Sequence, residues 1–551
     1  MLVNLIITSL VVGLSLAWAV LRAVKAVHML QLDSYANDRF LRWLAAQPWR
    51  RAIDLPSGLC QAIFMAAIAI PPRPLVSPSI LAFAWSVCAA ALLIFTLVTA
   101  EKPKKPLVYT GRAIRMLVTS LLLSFLALAA STWFALSSLQ LDLSATLRDS
   151  VALTMLLASL AVVQLAPLVV VVANVLLAPV QHAINSKYLR QARRRLHDVS
   201  PLVVGITGSY GKTSTKYVLE QLLADHRKVL KTPLSYNTLM GVCRVINEHL
   251  DDECQVLIAE MGAYRRGDIR ELCDFVHPTI GILTAIGPQH LERFKTLDNI
   301  QAAKYELIEA LPASGVAIFN NDDPRGRVLA GRTTHVTVMR YGLDPQGQLL
   351  DLWAEGIAMG PHGLSFTMAA KNGRRVDVQT VLLGRHNVLN ILAASCAAVA
   401  LGLSLDAIAK AIGHLPPVPH RLQLMNSGSG VTVIDDAYNA NPVGATEALE
   451  VLGSFTTGRR ILVTPGMVEL GPLEAQLNEE LGAKAAEVCD YVILVGVERT
   501  RPLLAGLQRQ SFPGDKIRIV RDLNAATEAL TRIVRAGDTV LFENDLADQY
   551  A

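Results

Sequence analysis

Charge is scarce in this chain: Asp, Glu, Lys and Arg make up only 18% of its 551 residues, against 52% hydrophobic ones. That is apolar for a soluble enzyme, and the excess is concentrated in the first 180 residues. Paired cysteines are also missing. The seven present (Cys60, Cys88, Cys243, Cys254, Cys273, Cys396, Cys489) form no CxxC, which excludes a zinc ribbon and a disulfide framework and fits a reducing compartment. No internal repeat or low-complexity tract stands out. A net charge of +5 invites a nucleic-acid reading, but the basic residues lie mostly beside apolar runs, where they act as topology determinants, so no nucleic-acid partner is expected.

What the chain has in abundance is long apolar sequence. Residues 2–21 are long enough to span a bilayer, which takes roughly 20 residues, and lack the basic start and cleavage site of a signal peptide. Strong runs follow at 75–100, 116–139 and 151–180, with a weaker one at 57–70. Three basic clusters punctuate them: Arg22, Lys25, Arg39, Arg42, Arg50 and Arg51; then Lys102, Lys104, Lys105, Arg112 and Arg115; then residues 187–195. Positive-inside bias puts all three in the cytoplasm only with about five spans and the N-terminus outside; four would strand the first cluster. The reading is a multi-pass protein of the cell membrane, with everything after residue 180 cytoplasmic and the helices serving as an anchor or as contacts for a lipid substrate.

From Pro201 the pattern becomes short apolar runs alternating with amphipathic segments, the signature of an α/β fold with a parallel sheet. Leu202-Val203-Val204-Gly205-Ile206-Thr207 reads as a buried strand running into Gly208-Ser209-Tyr210-Gly211-Lys212-Thr213-Ser214 and then a helix. Phosphate binding requires this order, because glycines let backbone N–H groups wrap the phosphates and the helix N-terminus adds a favourable dipole. Lys212 is expected on the β/γ-phosphates and Thr213 on magnesium, making ATP the expected ligand. Counted from Gly208, the spacing to the lysine is two residues shorter than in the usual P-loop. Counted from Gly205, it is GxTGxxGKT.

That loop is typical of the Mur ligases, and from here to the C-terminus the chain resembles them, with motifs in the family's order. Asn237-Thr238 with Gly241 resembles the element beside the γ-phosphate. Val256-Leu257-Ile258-Ala259-Glu260 reads as a strand ending where the family places a magnesium-binding glutamate, and a carboxylate at that strand edge faces the site. Gly287-Pro288-Gln289-His290 resembles the segment whose histidine helps bind a second magnesium. Gln301-Ala302-Ala303-Lys304 resembles the motif whose lysine is carbamylated, which turns a cation into a metal-binding anion. The resemblance thus implies catalytic Lys212, Glu260, His290 and Lys304, with Thr213, Glu260, His290 and Lys304 around metal. It implies nucleotide contacts from Gly208, Ser209, Gly211, Lys212, Thr213, Ser214, Asn237, Asn320, Arg385, His386, Asn387 and Arg421. Asp435, Tyr438 and Asn439 join them from Asp435-Asp436-Ala437-Tyr438-Asn439-Ala440-Asn441-Pro442, a run characteristic of the MurF type, which adds D-Ala-D-Ala to the muropeptide stem.

The implied organisation is a transmembrane region and basic linker at 1–199, a central ATP-binding domain at 200–416 and a Rossmann-like domain at 417–551, with strands at 431–434, 460–464, 491–495, 517–520 and 539–542. The implied chemistry is amide-bond ligation, in which a carboxylate attacks the γ-phosphate to give an acyl phosphate and an amino acid or dipeptide amine displaces phosphate. Two features depart from the family. Membrane helices occupy the place of the domain that binds the substrate's uridine nucleotide, so a muropeptide or lipid-linked carboxylate is the expected partner. Thr464-Pro465-Gly466-Met467-Val468-Glu469-Leu470-Gly471 stands where the family has LGDMxELG, which changes a loop on the amine side. Poly-γ-glutamate synthases are the nearest alternative. The zinc-ribbon MurT type is disfavoured, because no cysteine lies between Cys273 and Cys396. A transport ATPase would need polar residues within its spans, and a dead scaffold would have lost Lys212, Glu260, His290 or Lys304. Residues 342–373 read as a small β-element, and the tail from Glu543 to Asp548 as a solvated terminus rather than a functional loop.

Overall fold

The computed structural model describes residues 2–46, 86–91, 93, 94, 98, 106–140, 145–233, 236–343, 345, 349–426, 429–438 and 440–545. It divides into two compact units, one up to Asn185 and one of Ser186–Leu546.

The first unit is helical, built chiefly from Leu2–Leu32, Gly111–Gln140 and Ala145–Leu176. Among the described residues three stretches are long and apolar enough to cross a membrane: Val12–Leu32, Gly111–Trp133 and Leu157–Leu176. The expected runs at 57–70 and, for the most part, at 75–100 lie outside the described residues. The first apolar run was expected to stop at residue 21, yet its helix continues to Leu32. Arg22, within that helix, donates its guanidinium to Gln164 Oε1 at 2.8 Å on a neighbouring helix. Polar contacts also gather where the first helix ends and the Gly111 helix begins. Arg112 donates to Asn174 Oδ1 at 3.1 Å, and Asn174 donates to Tyr35 O at 3.1 Å and Asn37 Oδ1 at 2.8 Å.

The second unit holds two sheets. Strands β1 (Leu202–Thr207), β2 (Val229–Lys231), β3 (Val256–Glu260), β4 (Ile280–Leu283), β5 (Val316–Asn320) and β6 (Thr337–Gly342) are parallel. With β7 (Leu352–Gly360), β8 (Gly363–Ala370) and β9 (Arg375–Thr380) they form one nine-stranded sheet in the order β2-β3-β1-β4-β5-β6-β7-β8-β9. β1 and β3 are buried almost throughout, which is why their sequences are continuous apolar runs. The β-element expected within 342–373 is found as β7 and β8 of this sheet, joined through the Tyr341–Leu352 and Gly342–Trp353 pairs.

The second sheet has the order β10-β11-β15-β12-β13-β14, with β10 (Gln423–Asn426), β11 (Thr432–Asp436), β12 (Arg460–Thr464), β13 (Tyr491–Val495), β14 (Ile517–Val520) and β15 (Thr539–Glu543). All but β10 are parallel, and the five strands expected from sequence are present within two residues at each end. β15 lies between β11 and β12, so the chain order reverses there, and the crevice at such strand ends is where open α/β sheets bind ligands. The Asn441-Pro442 step opens the helix Pro442–Gly453: Asn441 caps it by accepting from Gly444 N at 2.9 Å, and proline suits the first helical position.

Helices Glu474–Val488 and Arg501–Arg509 meet through two glycines, where a Cβ on Gly482 would strike the carbonyl oxygen of Leu503 and one on Gly506 that of Glu479. Backbone on both sides cannot give way cheaply. Gly506→Ala is expected to destabilise this domain by about 1–3 kcal/mol. Hydrogen exchange of the Glu474–Val488 helix in the detergent-purified chain checks this, and unchanged protection would contradict the packing.

Candidate active site

The loop after β1 is shaped by its glycines. Gly208 and Gly211 have φ of 151° and 81°, and a Cβ on either would run into Thr284 or Asn390. Ser209 Oγ donates to Gly287 O at 2.9 Å and Ser209 N to Ala285 O at 2.7 Å, fixing the loop against the chain that follows β4. Lys212 opens the helix Lys212–Leu223, and its ammonium donates to Gly208 O at 2.7 Å and Ser209 O at 3.3 Å. Burial pushes Lys212 down to about 8; Glu260 opposes the fall, while Arg421 and Lys216 add to it.

Glu260 ends β3 beneath this loop. Thr213 Oγ1 donates to Glu260 Oε2 at 3.1 Å, Asn237 Nδ2 to Oε1 at 3.1 Å, and Lys216 Nζ to Oε2 at 2.8 Å. The Lys216 and Glu260 side chains are 0% and 2% exposed. Burial pushes the Glu260 carboxyl up, but Lys216 and Lys212, with hydrogen bonds from Lys216 and Asn237, outweigh it and hold the group below the usual carboxylate range.

His290 and Lys304 approach the loop from other directions. Lys304 is buried in the helix Leu297–Glu309 and donates to Gly208 O at 2.8 Å. Burial, with Lys212 nearby, pushes its amine well below the ordinary lysine value. His290 hydrogen-bonds through Nδ1 to Glu469, whose other oxygen takes Arg293 at 2.5 Å; Arg293 lies 4.2 Å over the Tyr264 ring. Burial holds the His290 imidazole below its ordinary value despite Glu469. The loop that departs from LGDMxELG therefore reaches the other domain through Glu469, a non-glycine residue at φ 64°.

A cavity of about 570 Å³ runs from the loop to the second sheet. Of the expected nucleotide contacts, Ser209, Gly211, Lys212, Thr213, Ser214, Asn320, His386 and Arg421 line it. Others stand off. Arg385 is exposed, Asn387 is buried behind the wall with its Nδ2 on Leu383 O at 2.7 Å, and Tyr438 packs 4.6 Å from the Arg421 guanidinium. Asp435 turns instead to His420 Nδ1 at 2.7 Å, and it is Asp436 that lines the cavity. Asn439 lies outside the described residues.

The reading from sequence missed Lys216, Asn390, Asp436 and Glu543. Lys216 carried one signal, its place a helical turn after Lys212, and Glu543 another, as the end of the last strand. The solvated-tail reading fails at Glu543 and Asn544, which are 1% and 8% exposed.

The two oxygen donors Thr213 and Glu260 suit magnesium, which commonly takes one or two carboxylates and completes its shell from phosphates and water. Thr213 and Glu260 fit one such ion, with phosphates and water as its remaining ligands.

A polyphosphate beside Lys212 favours the charged amine and raises its pKa from about 8 toward the ordinary 10.5. Between these values ADP binding is therefore expected to take up a proton, and below about 8 it is not, because the amine is already charged. Calorimetry near the middle of that window in buffers of different ionisation enthalpy reads this directly. Uptake should vanish in Lys212→Ala, and its persistence there would contradict the assignment.

The Mur ligase middle domain matches residues 206–398, and the Mur ligase, glutamate ligase domain matches 420–543. The UDP-N-acetylmuramoyl-tripeptide–D-alanyl-D-alanine ligase of Mycobacterium tuberculosis (strain ATCC 25618 / H37Rv) is 32% identical over 363 residues, covering 62% of this chain and 69% of that protein. The Escherichia coli (strain K12) protein of the same name is 31% identical over 346 residues, covering 62% and 75%. Among solved structures, MurF from Acinetobacter baumannii superposes with a TM-score of 0.58 at 27% identity, covering 66% of this chain and 77% of that one. The MurF ligase of Thermotoga maritima in complex with ADP gives 0.58 at 29%, covering 66% and 80%. With this fold, this phosphate loop and these relatives, the chain belongs to the Mur ligase family and is an ATP-dependent ligase of MurF-like type.

Proposed function

We propose that this chain is a membrane-anchored ligase that joins D-alanyl-D-alanine to the carboxylate of a muramoyl-tripeptide at the cytoplasmic face of the cell membrane. The observation that carries the reading is the single cavity walled by the phosphate loop of one domain and by Arg421 and Asp436 of the other. It supports ATP and the carboxylate substrate meeting between the domains. The relatives named for D-alanyl-D-alanine ligation support the substrate pair.

In this reading the loop N–H groups and Lys212 hold the β- and γ-phosphates, and Arg421 approaches the same anion from the opposite wall. The peptide carboxylate attacks the γ-phosphorus, the bond to the ADP oxygen breaks, and an acyl phosphate forms. The amine then attacks the acyl carbon and phosphate leaves. Closure of the second domain, held through Glu469 to Arg293 and His290, keeps water from the acyl phosphate. Magnesium on Thr213 and Glu260 would supply further neutralisation of the phosphates.

Lys304 supports carbamylation, because burial favours the neutral amine, and the neutral amine is the form that adds carbon dioxide. The carbamate would bring to that wall an anion that lysine lacks. The three apolar stretches support membrane anchoring, and they also favour a second reading in which the carboxylate donor is lipid-linked.

Phosphate release by the detergent-purified chain, with magnesium and bicarbonate, separates these readings. UDP-muramoyl-tripeptide with D-alanyl-D-alanine is expected to turn over, and Lys212→Ala to lose about 10²–10³-fold. Turnover only with a lipid-linked muropeptide would select the second reading. No substrate-dependent release with any pair, despite ADP binding, would contradict both. Stripping bicarbonate should lower the rate of the wild type; an unchanged rate would remove the carbamate from the account.

A further inference from the structure

The helix Ala178–Val199 follows the apolar stretch Leu157–Leu176 and leads into the second unit. One face of it packs on the central domain. Leu189, Ala192, Leu196 and Val199 recur at helical spacing and lie against the core that holds Leu250, Leu257 and Phe275. Arg195 fastens the helix there: its Nε donates to Leu250 O at 2.8 Å, and its guanidinium lies 3.5 Å from the Asp252 carboxylate. Asn247 Nδ2 donates to Tyr188 O at 3.1 Å, a second tie one turn earlier.

The opposite face is basic. Lys187, Arg190 and Arg194 fall within an arc of about 60° on a helix of 3.6 residues per turn, directly across from that apolar line. All three are exposed, and none has a hydrogen bond or ion pair among the described residues. Their basic neighbours are occupied on the protein, Arg195 as above and Arg193 at 5.9 Å over the Phe275 ring. No acidic residue occurs between Asp149 and Asp198, and Asp198 turns to His197 at 3.5 Å. Cations one turn apart repel each other, and a solvated helix ordinarily offsets them with acids at the same spacing. Positive-inside bias asks only that such charges lie near a span, not that they share a face. A flat array of anions across from the strip answers both points. We propose that this face lies on the cytoplasmic leaflet and binds the phosphate headgroups of anionic phospholipids. The proposal rests on the membrane reading above. All three residues lie within about 20 positions of the end of the apolar stretch, the range in which basic residues meet the leaflet. The two guanidinium groups can each take a phosphate through paired N–H donors, and Lys187 serves as a point charge. Because the other face is fixed to the central domain, the contact is a second hold on the ligase unit besides the spans.

Covalent labelling of the full-length chain in lipid nanodiscs reads this face directly. Mass spectrometry follows acetylation of Lys187 and phenylglyoxal modification of Arg190 and Arg194, with the exposed Lys410 of the helix Leu405–Ile412 as reference. Replacing part of the phosphatidylcholine by phosphatidylglycerol should slow all three about fivefold, while Lys410 keeps its rate. Salt at about 1 M should restore them, because screening then cuts the reach of charge to about 3 Å. Equal rates in the two lipids would overturn the proposal, as would slowing that Lys410 shares or that salt leaves in place. Slowing by added RNA and not by lipid would overturn it too, and would give the face to nucleic acid. A chain that stays in solution without detergent and enters no disc would instead fault the membrane reading.

Discussion

The buried ion pair between Lys216 and Glu260 is the constraint around which the active site is organised. Both side chains are essentially removed from water, and each depends on the other for its charge to be tolerable there. The pair joins the helix that follows the phosphate loop to the strand beside β1, so it sets the height of the loop over the sheet. Thr213 of the same helix and Asn237 of a further segment complete the Glu260 carboxylate with hydrogen bonds. Three pieces of chain, the Lys212–Leu223 helix, the Asn237 segment and β3, are thereby joined at one carboxylate, which gains an ionised form and a fixed direction. A magnesium ion arriving there would meet an anion already oriented rather than one it must organise.

The second organising contact lies between the domains. Glu469 stands on a loop between Gly466 and Gly471 and binds Arg293 and His290 of the central domain. That loop differs from the family pattern at Pro465 and Gly466, while the glutamate that makes the contact is present. Gly466 also accepts from Asn544, so the interdomain loop, the end of the last strand and the Asp436 edge form one connected wall. His290 is engaged by Glu469 through Nδ1, an arrangement that fixes the tautomer and leaves Nε2 as its other ring nitrogen.

Much of this was legible in the sequence, and the parts that were not share a cause. Strand β1 and its loop were readable because a strand buried on both faces must be continuously apolar and a phosphate loop must spend glycines where φ is positive. Asn441-Pro442 was readable as a family motif, and the structure gives it a mechanical meaning as a helix start. Lys216 was missed because its partner is 44 residues away and only the sheet brings them together. Asp435 was preferred to Asp436 because adjacent strand residues face opposite sides, and nothing local says which side is the cavity. Residues 342–373 read as a small β-element because their alternation reveals strands, though not the neighbour that β7 joins. The tail read as solvated because its polarity is that of an exposed terminus; the burial of Glu543 and Asn544 follows from the central place of β15.

The most direct test of this account is the coupling between Lys216 and Glu260, measured by hydrogen exchange across Val256–Glu260 in the full-length chain. Lys216→Met and Glu260→Gln, made singly, should each lower the local opening free energy by about 3–5 kcal/mol, because each leaves a buried charge or its hydrogen bonds unmatched. The double variant should lose far less than the sum of the two. Single changes without effect, or effects that simply add, would mean that the pair does not hold the loop over the sheet and that the site is organised by something else.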